Sequence, residues 1–187
     1  MARRHVLERS QLVPAPRAEV FAFFGDAFNL EAITPQFLRF RVTTPGPIPM
    51  APGALIDYRL SLYGVGFRWR TRFEAWEPGV RFVDVQLSGP YRLWRHTHVF
   101  EDAPGGTRVS DRVEYELPLG PLGALAHALF VRRALGRIFD HRRARIAARF
   151  GDGPASAPDP TRGFTSRDGP SAPGTAPAGP PSPPPIP

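Results

Sequence analysis

The stretch Phe67-Arg68-Trp69-Arg70-Thr71-Arg72-Phe73-Glu74 carries a charge at every second position. Strand side chains alternate between two faces, so Phe67, Trp69, Thr71 and Phe73 point to a buried side and Arg68, Arg70, Arg72 and Glu74 away from it. The same alternation in Arg108 to Leu117 turns Arg108, Ser110, Arg112, Glu114 and Glu116 outward and forces Val109, Asp111, Val113, Tyr115 and Leu117 inward. An acid therefore lies on an inner face. The turn Ala103-Pro-Gly-Gly106 joins this strand to the one before it, and pairing Asp102 with Thr107 sets Phe100 opposite Val109, His98 opposite Asp111, His96 opposite Val113 and Trp94 opposite Tyr115. A register shift of two would make the His98–Asp111 contact diagonal but leave both on one face.

Around this hairpin the chain divides readily. Residues 3–13 form an opening strand stopped by Pro14 and Pro16, followed by a short apolar helix over Arg17 to Gly25 and a second over Asn29 to Ile33. Six alternating segments follow: Phe37 to Thr44, Ala54 to Tyr63, Gly66 to Glu77, Arg81 to Ser88, Tyr91 to Glu101 and Thr107 to Leu117. Their short links imply an antiparallel meander. Leu119 to Phe150 is expected as one long helix. Its inward seam is read as Leu122, Leu125, Leu129, Arg132, Gly136, Phe139, Arg143, Ile146 and Phe150, with Gly136 marking a close approach or a bend.

Half of the 24 prolines fall in the last 37 residues, which lack the apolar content to build a core. The expected organisation is one domain over residues 1–150 and a disordered Pro/Gly-rich tail over residues 151–187. Cysteine is absent, which excludes disulfides, thiolate metal sites and a cysteine nucleophile. All 24 basic residues are arginine, so lysine Schiff bases and pyridoxal phosphate attachment are excluded too. The net charge of +7 belongs to the domain, where 22 arginines face 14 acids. No apolar stretch follows Met1-Ala-Arg-Arg-His5, and the longest mostly apolar run, Leu119 to Val131, is shorter than the ~20 residues of a membrane span. The chain is expected to be soluble and cytoplasmic.

The inner wall collects Trp69, Trp94, Tyr115, His96, His98 and Asp111. Buried polar groups without partners cost about 1–3 kcal/mol each, so this mixture suits a cavity wall better than a plain core. With Leu30-Glu-Ala-Ile-Thr-Pro35, Gly53-Ala-Leu-Ile-Asp-Tyr58, Phe82-Val-Asp-Val-Gln86, Gly89-Pro-Tyr-Arg-Leu-Trp-Arg-His-Thr-His98 and Asp111-Arg-Val-Glu-Tyr115, the chain resembles the START-like, or SRPBCC, superfamily over nearly all of residues 3–148. That superfamily includes polyketide cyclase/dehydrase relatives and coenzyme Q-binding START proteins. The resemblance implies an α+β helix-grip (Bet v 1/START-like) fold: a curved antiparallel sheet of about seven strands wrapped on the long C-terminal helix. A hydrophobic cavity is expected between them.

The expected function is binding or transport of a hydrophobic small molecule, such as a lipid, isoprenoid quinone or polyketide-like ring system. Trp69, Trp94 and Tyr115 would line the cavity; His96, His98 and Asp111 would orient the ligand's polar end, with Tyr58 and Gln86 as further candidates. One alternative is a cyclase or dehydratase using His98 as general base, its tautomer held by Asp111. Another is an accessory or regulatory module that binds a protein partner. His96, His98 and Asp111 also match a two-histidine, one-carboxylate metal set. The resemblance does not imply a metal, and the reading adopted is a satisfied polar cluster with no metal or cofactor. Asp84 shares a face with Gln86, but the Ser88–Tyr91 turn leaves its direction open, while Asp57 is expected outward. Trp76 and Phe82 read as packing residues. The helix arginines Arg132, Arg133, Arg137, Arg142, Arg143, Arg145 and Arg149 suggest transient contact with an anionic membrane, whereas nucleic acid binding lacks both a motif and exposed stacking aromatics.

Overall fold

The computed structural model describes residues 3–62, 64–151 and 164–167. The first strand, β1 (Arg4–Val13), ends where Pro14 and Pro16 withdraw their N–H groups, and Pro16, with φ near −60°, leads into helix α1 (Arg17–Gly25). α1 buries Val20, Phe21 and Phe24 on one stripe. Full burial of each such side chain contributes about 1.5–3 kcal/mol. A second short helix, α2 (Asn29–Ile33), and a single 3-10 turn (Gln36–Leu38) follow.

The sheet contains β2 (Arg41–Val42), β3 (Leu55–Leu62), β4 (Val65–Glu77), β5 (Arg81–Ser88), β6 (Leu93–Ala103) and β7 (Gly106–Glu116), in the order β2-β3-β4-β5-β6-β7-β1. Every pairing is antiparallel. Register shifts between Arg70 and Thr71 and between Phe73 and Ala75 interrupt the β4–β5 ladder, and such bulges bend a sheet and increase its twist. The β6–β7 register is the expected one throughout: Asp102 faces Thr107, His98 faces Asp111 and Trp94 faces Tyr115. Its turn needs glycine, because a Cβ on Gly106 would lie 2.1 Å from the Val13 carbonyl oxygen. Thr107 then ties this corner down by donating its hydroxyl to the Ala15 carbonyl at 2.7 Å.

Three expectations change. The segment Phe37 to Thr44 is a strand only at Arg41–Val42, because the chain first makes the 3-10 turn and Arg39 takes a left-handed φ of 45°. The tail is not structureless throughout: Phe164–Arg167 forms β8, pairing antiparallel with β1, whose outer edge would otherwise offer free backbone groups. The other tail residues lie outside the described ones.

The long helix is the third case. It runs as α3 (Gly120–Ala126), a π-turn (His127–Val131) and α4 (Arg132–Phe150). The wider turn shifts the helical phase, so a seam extrapolated at regular spacing crosses from the inner to the outer face. Leu122, Leu125 and Leu129 are consequently exposed, at 68%, 57% and 53%, as are Arg132 and Arg143. The buried stripe is His127, Ala134, Leu135, Phe139 and Ile146. Gly136 marks no close approach, since a Cβ there would meet nothing within 4 Å. Among the described residues, no helix is long and apolar enough to cross a membrane.

Candidate functional site

α1, α4 and the inner face of the sheet leave a cavity of about 350 Å³ between them. Its apolar walls include Phe24, Leu38, Phe73, Phe82, Trp69 and Trp94, and its polar groups are Tyr58, Asp84, His96, His98 and Arg142, with Thr71. The alternation that turns Phe67, Trp69, Thr71 and Phe73 inward places all four on this wall. Asp57 points outward, as expected, and binds Arg70 through two parallel hydrogen bonds of 2.8 and 2.9 Å.

The polar side of the cavity is a cluster built by three adjacent strands and one helix. Pairing of β5 with β6 sets Asp84 opposite His96 and Phe82 opposite His98, and β7 adds Asp111. The two imidazoles lie 3.8 Å apart between ring centroids, their planes tilted by 39°. Asp111 lies on one side of them: His96 Nε2 is 3.0 Å from Asp111 Oδ1, and His98 Nδ1 approaches the same oxygen at 2.7 Å, at an angle too bent for a straight hydrogen bond. Asp84 lies on the other side, its Oδ2 at 3.5 Å from His98 Nε2 and 3.9 Å from His96 Nδ1. Arg142 reaches in from α4, with Nη1 3.8 Å from Asp111 and its guanidinium over the Phe24 and Phe139 rings.

These neighbours separate the two histidines electrostatically. Burial, reinforced by the adjacent His98 charge, pushes the His96 pKa down to about 4. Burial also opposes charge on His98, but the Asp111 carboxylate and Asp84 outweigh it and raise its pKa. Burial alone would raise the Asp111 pKa; the His98 ring, the His96 hydrogen bond and Arg142 hold it well below the ordinary value. The Tyr58 hydroxyl is pushed up by burial and then by the Asp84 charge, so it stays a neutral donor. One wall of an otherwise apolar cavity thus presents two imidazoles, a guanidinium and a phenol. Asp84, His96 and His98 also place donor atoms within 4.8 Å of one another, a set able to hold a metal ion.

Tyr58, Trp69, Trp94, His96 and His98 line the cavity, with Asp111 behind the two rings. Gln86 does not join them. Its amide is spent on the β5–β6 turn, where Nε2 donates to the Tyr91 carbonyl at 2.6 Å and Oε1 accepts the Tyr91 N–H. Tyr115 is fully buried in a neighbouring core, its hydroxyl 2.8 Å from His127 Nε2, and does not reach the cavity. Phe82 serves the cavity as well as packing, its ring 4.2 Å from that of His98. The Ser88–Tyr91 turn leaves the direction of Asp84 open in the sequence, and the apolar Val83, Val85 and Leu87 on the opposite face of β5 do not point to it. The extrapolated seam falls on Arg143 and so misses Arg142, whose signal is its spacing of three from Phe139 and four from Ile146.

The sequence pattern of a family described as polyketide cyclase / dehydrase and lipid transport matches residues 4–151. Among solved structures, protein CV1439 from Chromobacterium violaceum superposes with a TM-score of 0.60 at 14% identity, over 78% of this chain and 96% of that one. TTHA0849 from Thermus thermophilus gives 0.57 at 21% identity, over 77% and 98%. The major latex-like protein 151 of Panax ginseng gives 0.56 at 12%, over 79% and 98%. At these identities the likeness is one of fold. No curated protein matches the chain.

Proposed function

The chain belongs to the polyketide cyclase / dehydrase and lipid transport family, an SRPBCC-type family with the helix-grip fold, and from that premise we propose that it binds a hydrophobic small molecule bearing an oxygen at one end. The observation that carries this reading is the one-sided cavity: apolar and aromatic on most walls, with His98, Arg142 and Tyr58 converging on the remaining one. Its volume of about 350 Å³ falls at the small end of the ~300–1,000 Å³ usual for ligand sites. A ring system such as a quinone or polyketide-like head fits better than a whole two-chain lipid.

The protonation pattern favours anchoring over base catalysis. Asp111 and Asp84 bias His98 toward its charged form, in which the ring donates to a ligand oxygen and has no free electron pair for proton abstraction. His96, with a pKa of about 4, is a weak base at neutral pH.

Native mass spectrometry of the purified full chain, followed by quinone titration monitored by Trp69 and Trp94 fluorescence, tests the proposal with a short-tailed isoprenoid quinone. Saturable quenching is expected. Trp94→Ala should weaken it about tenfold, the equivalent of about 1.4 kcal/mol, and His98→Gln less. Quinone binding that is absent from the parent, or indifferent to both changes, overturns it.

A membrane encounter follows from a second observation. Leu119, Leu122, Leu125, Leu129 and Phe130 are all more than half exposed along α3 and the π-turn, and Arg132, Arg133 and Arg137 follow them with no acid between Leu117 and Phe139. Leu117 and Val131 belong to the cavity lining, so this apolar, cationic surface borders its mouth. The same surface would meet an anionic bilayer during loading. Co-sedimentation with vesicles containing phosphatidylglycerol should exceed that with phosphatidylcholine alone and be lost in Leu125→Asp/Leu129→Asp; equal sedimentation with both lipids counts against it.

A further inference from the structure

We propose that Asp84, His96 and His98 form a binding site for a divalent first-row transition metal ion, zinc being the best-suited, with an open coordination position facing the cavity. The set differs from the one the sequence suggests. Asp111 stands behind the imidazoles, and Asp84 closes the group from the cavity side.

The geometry is that of ligands around a gap. His98 Nε2 and His96 Nδ1 stand 3.5 and 3.9 Å from Asp84 Oδ2, longer than the hydrogen bonds a buried carboxylate normally accepts. Two metal–ligand bonds of about 2.0–2.1 Å meeting at a tetrahedral angle hold their donor atoms about 3.3 Å apart. The first of the observed separations is close to that value, the second exceeds it by about 0.6 Å, and all three donor atoms lie within 4.8 Å of one another, so the side chains draw together when an ion binds. All three residues are on two hydrogen-bonded strands whose register sets their spacing.

The outer shell fits as well. A ligating histidine usually turns its other ring nitrogen to a carboxylate, which fixes the tautomer and increases the ring's basicity. Asp111 Oδ1 takes this place for His96, hydrogen-bonded to Nε2 at 3.0 Å, and stands 2.7 Å from His98 Nδ1, where a small rotation of the ring would straighten the contact. Nδ1 of His96 and Nε2 of His98 are thereby the nitrogens directed at Asp84. Metal binding displaces any proton from the ligating His98 nitrogen; with both rings then neutral, two carboxylates face one guanidinium, and the residual negative charge favours a cation at the three donors. Three protein ligands leave a fourth position, and His96, His98 and Asp84 all line the cavity, so that position is where a ligand oxygen or water would coordinate.

The full chain, dialysed against chelator and then titrated with Co2+ alone, provides the test. A saturable one-to-one visible absorption band of histidine-bound Co2+, bleached by added Zn2+, is expected. Asp84→Asn preserves the side chain's shape and should weaken Co2+ binding more than a hundredfold with an unchanged circular dichroism spectrum. Asp111→Asn should weaken it about 10–100-fold through the outer shell. His127→Gln, at a histidine remote from the cavity, should bind Co2+ as the parent does. Absence of a saturable band, or a band of equal affinity in Asp84→Asn, overturns the site.

Discussion

The domain contains two close histidine pairs, one tilted by 39° and one stacked at 16°, and what surrounds them differs. His96 and His98 lie 3.8 Å apart between two carboxylates at the cavity wall. His5 and His127 lie 3.6 Å apart in the neighbouring core, where the hydroxyl of Tyr115 meets His127 and the nearby charges are arginine. In the first pair the carboxylates raise the His98 pKa against the effect of burial. In the second, burial, then His5, Arg132 and Arg3, push the His127 pKa down to about 4, leaving a neutral ring. A close pair of imidazoles is thus a geometric unit whose surroundings differ between the two regions. Ringed by acids and open to a cavity, the unit is suited to the polar anchor proposed above; against a phenol in the core, it is packing between the π-turn, β1 and β7.

The largest expected effect comes from withdrawing the acid that both cavity histidines share. Asp111→Ala leaves the His98 charge buried without its nearest partner and strands His96 Nε2, and breaking a buried charge pair from one side costs about 3–5 kcal/mol. Urea denaturation at neutral pH measures this directly. A loss below about 1 kcal/mol would mean that the cluster is not charged in the folded protein, and the contrast between the two pairs would collapse.

The cavity pair is legible in the sequence and the core pair is not, for definite reasons. The glycine turn after Ala103 sets the β6–β7 register, and strict charge alternation in β7 sets its facing, so the partnership of His98 with Asp111 follows from two local signals. The helix-grip order follows from the same kind of punctuation. His127 has no such signal, because it becomes an inner residue only through the π-turn, and the regular stripe runs through Leu125 and Leu129 instead. Its partner Tyr115 is correctly turned inward, but facing alone does not distinguish the cavity from the core beside it. Asp84 and Gln86 share a strand face, yet one joins the cavity and the other pins a turn, a difference of hydrogen-bond partners that alternation does not contain.

Titration should separate the pairs next. The His127 pKa is about 4 in the folded protein against 6.5 for the unperturbed ring. Between those values the unfolded chain takes up a proton that the folded one refuses. The resulting stability is complete above about pH 6.5 and is lost as pH falls through this window. His96, also near 4, acts in the same direction. His98 acts oppositely: its raised pKa gives stability that is complete below 6.5 and lost as pH rises through the folded value. Urea midpoints across the pH range should therefore show a shallower acid limb in His127→Phe and a shallower alkaline limb in Asp111→Asn. An acid limb as steep in His127→Phe as in the parent would show that the core ring is not neutral.

The smallest effect tests whether the core pair is structural only. Tyr115→Phe removes the hydroxyl that lies 2.8 Å from His127 Nε2 and leaves the aromatic packing with Tyr91 and Trp94 in place. One net hydrogen bond is worth about 1 kcal/mol, so the urea midpoint should move by that amount. Quinone quenching and Co2+ affinity should stay at parental values, because Tyr115 is absent from the cavity wall. A binding constant that shifts along with stability would show that the two histidine regions communicate through the Tyr115–Trp94 contact, and the division between anchor and packing would have to be redrawn at that ring pair.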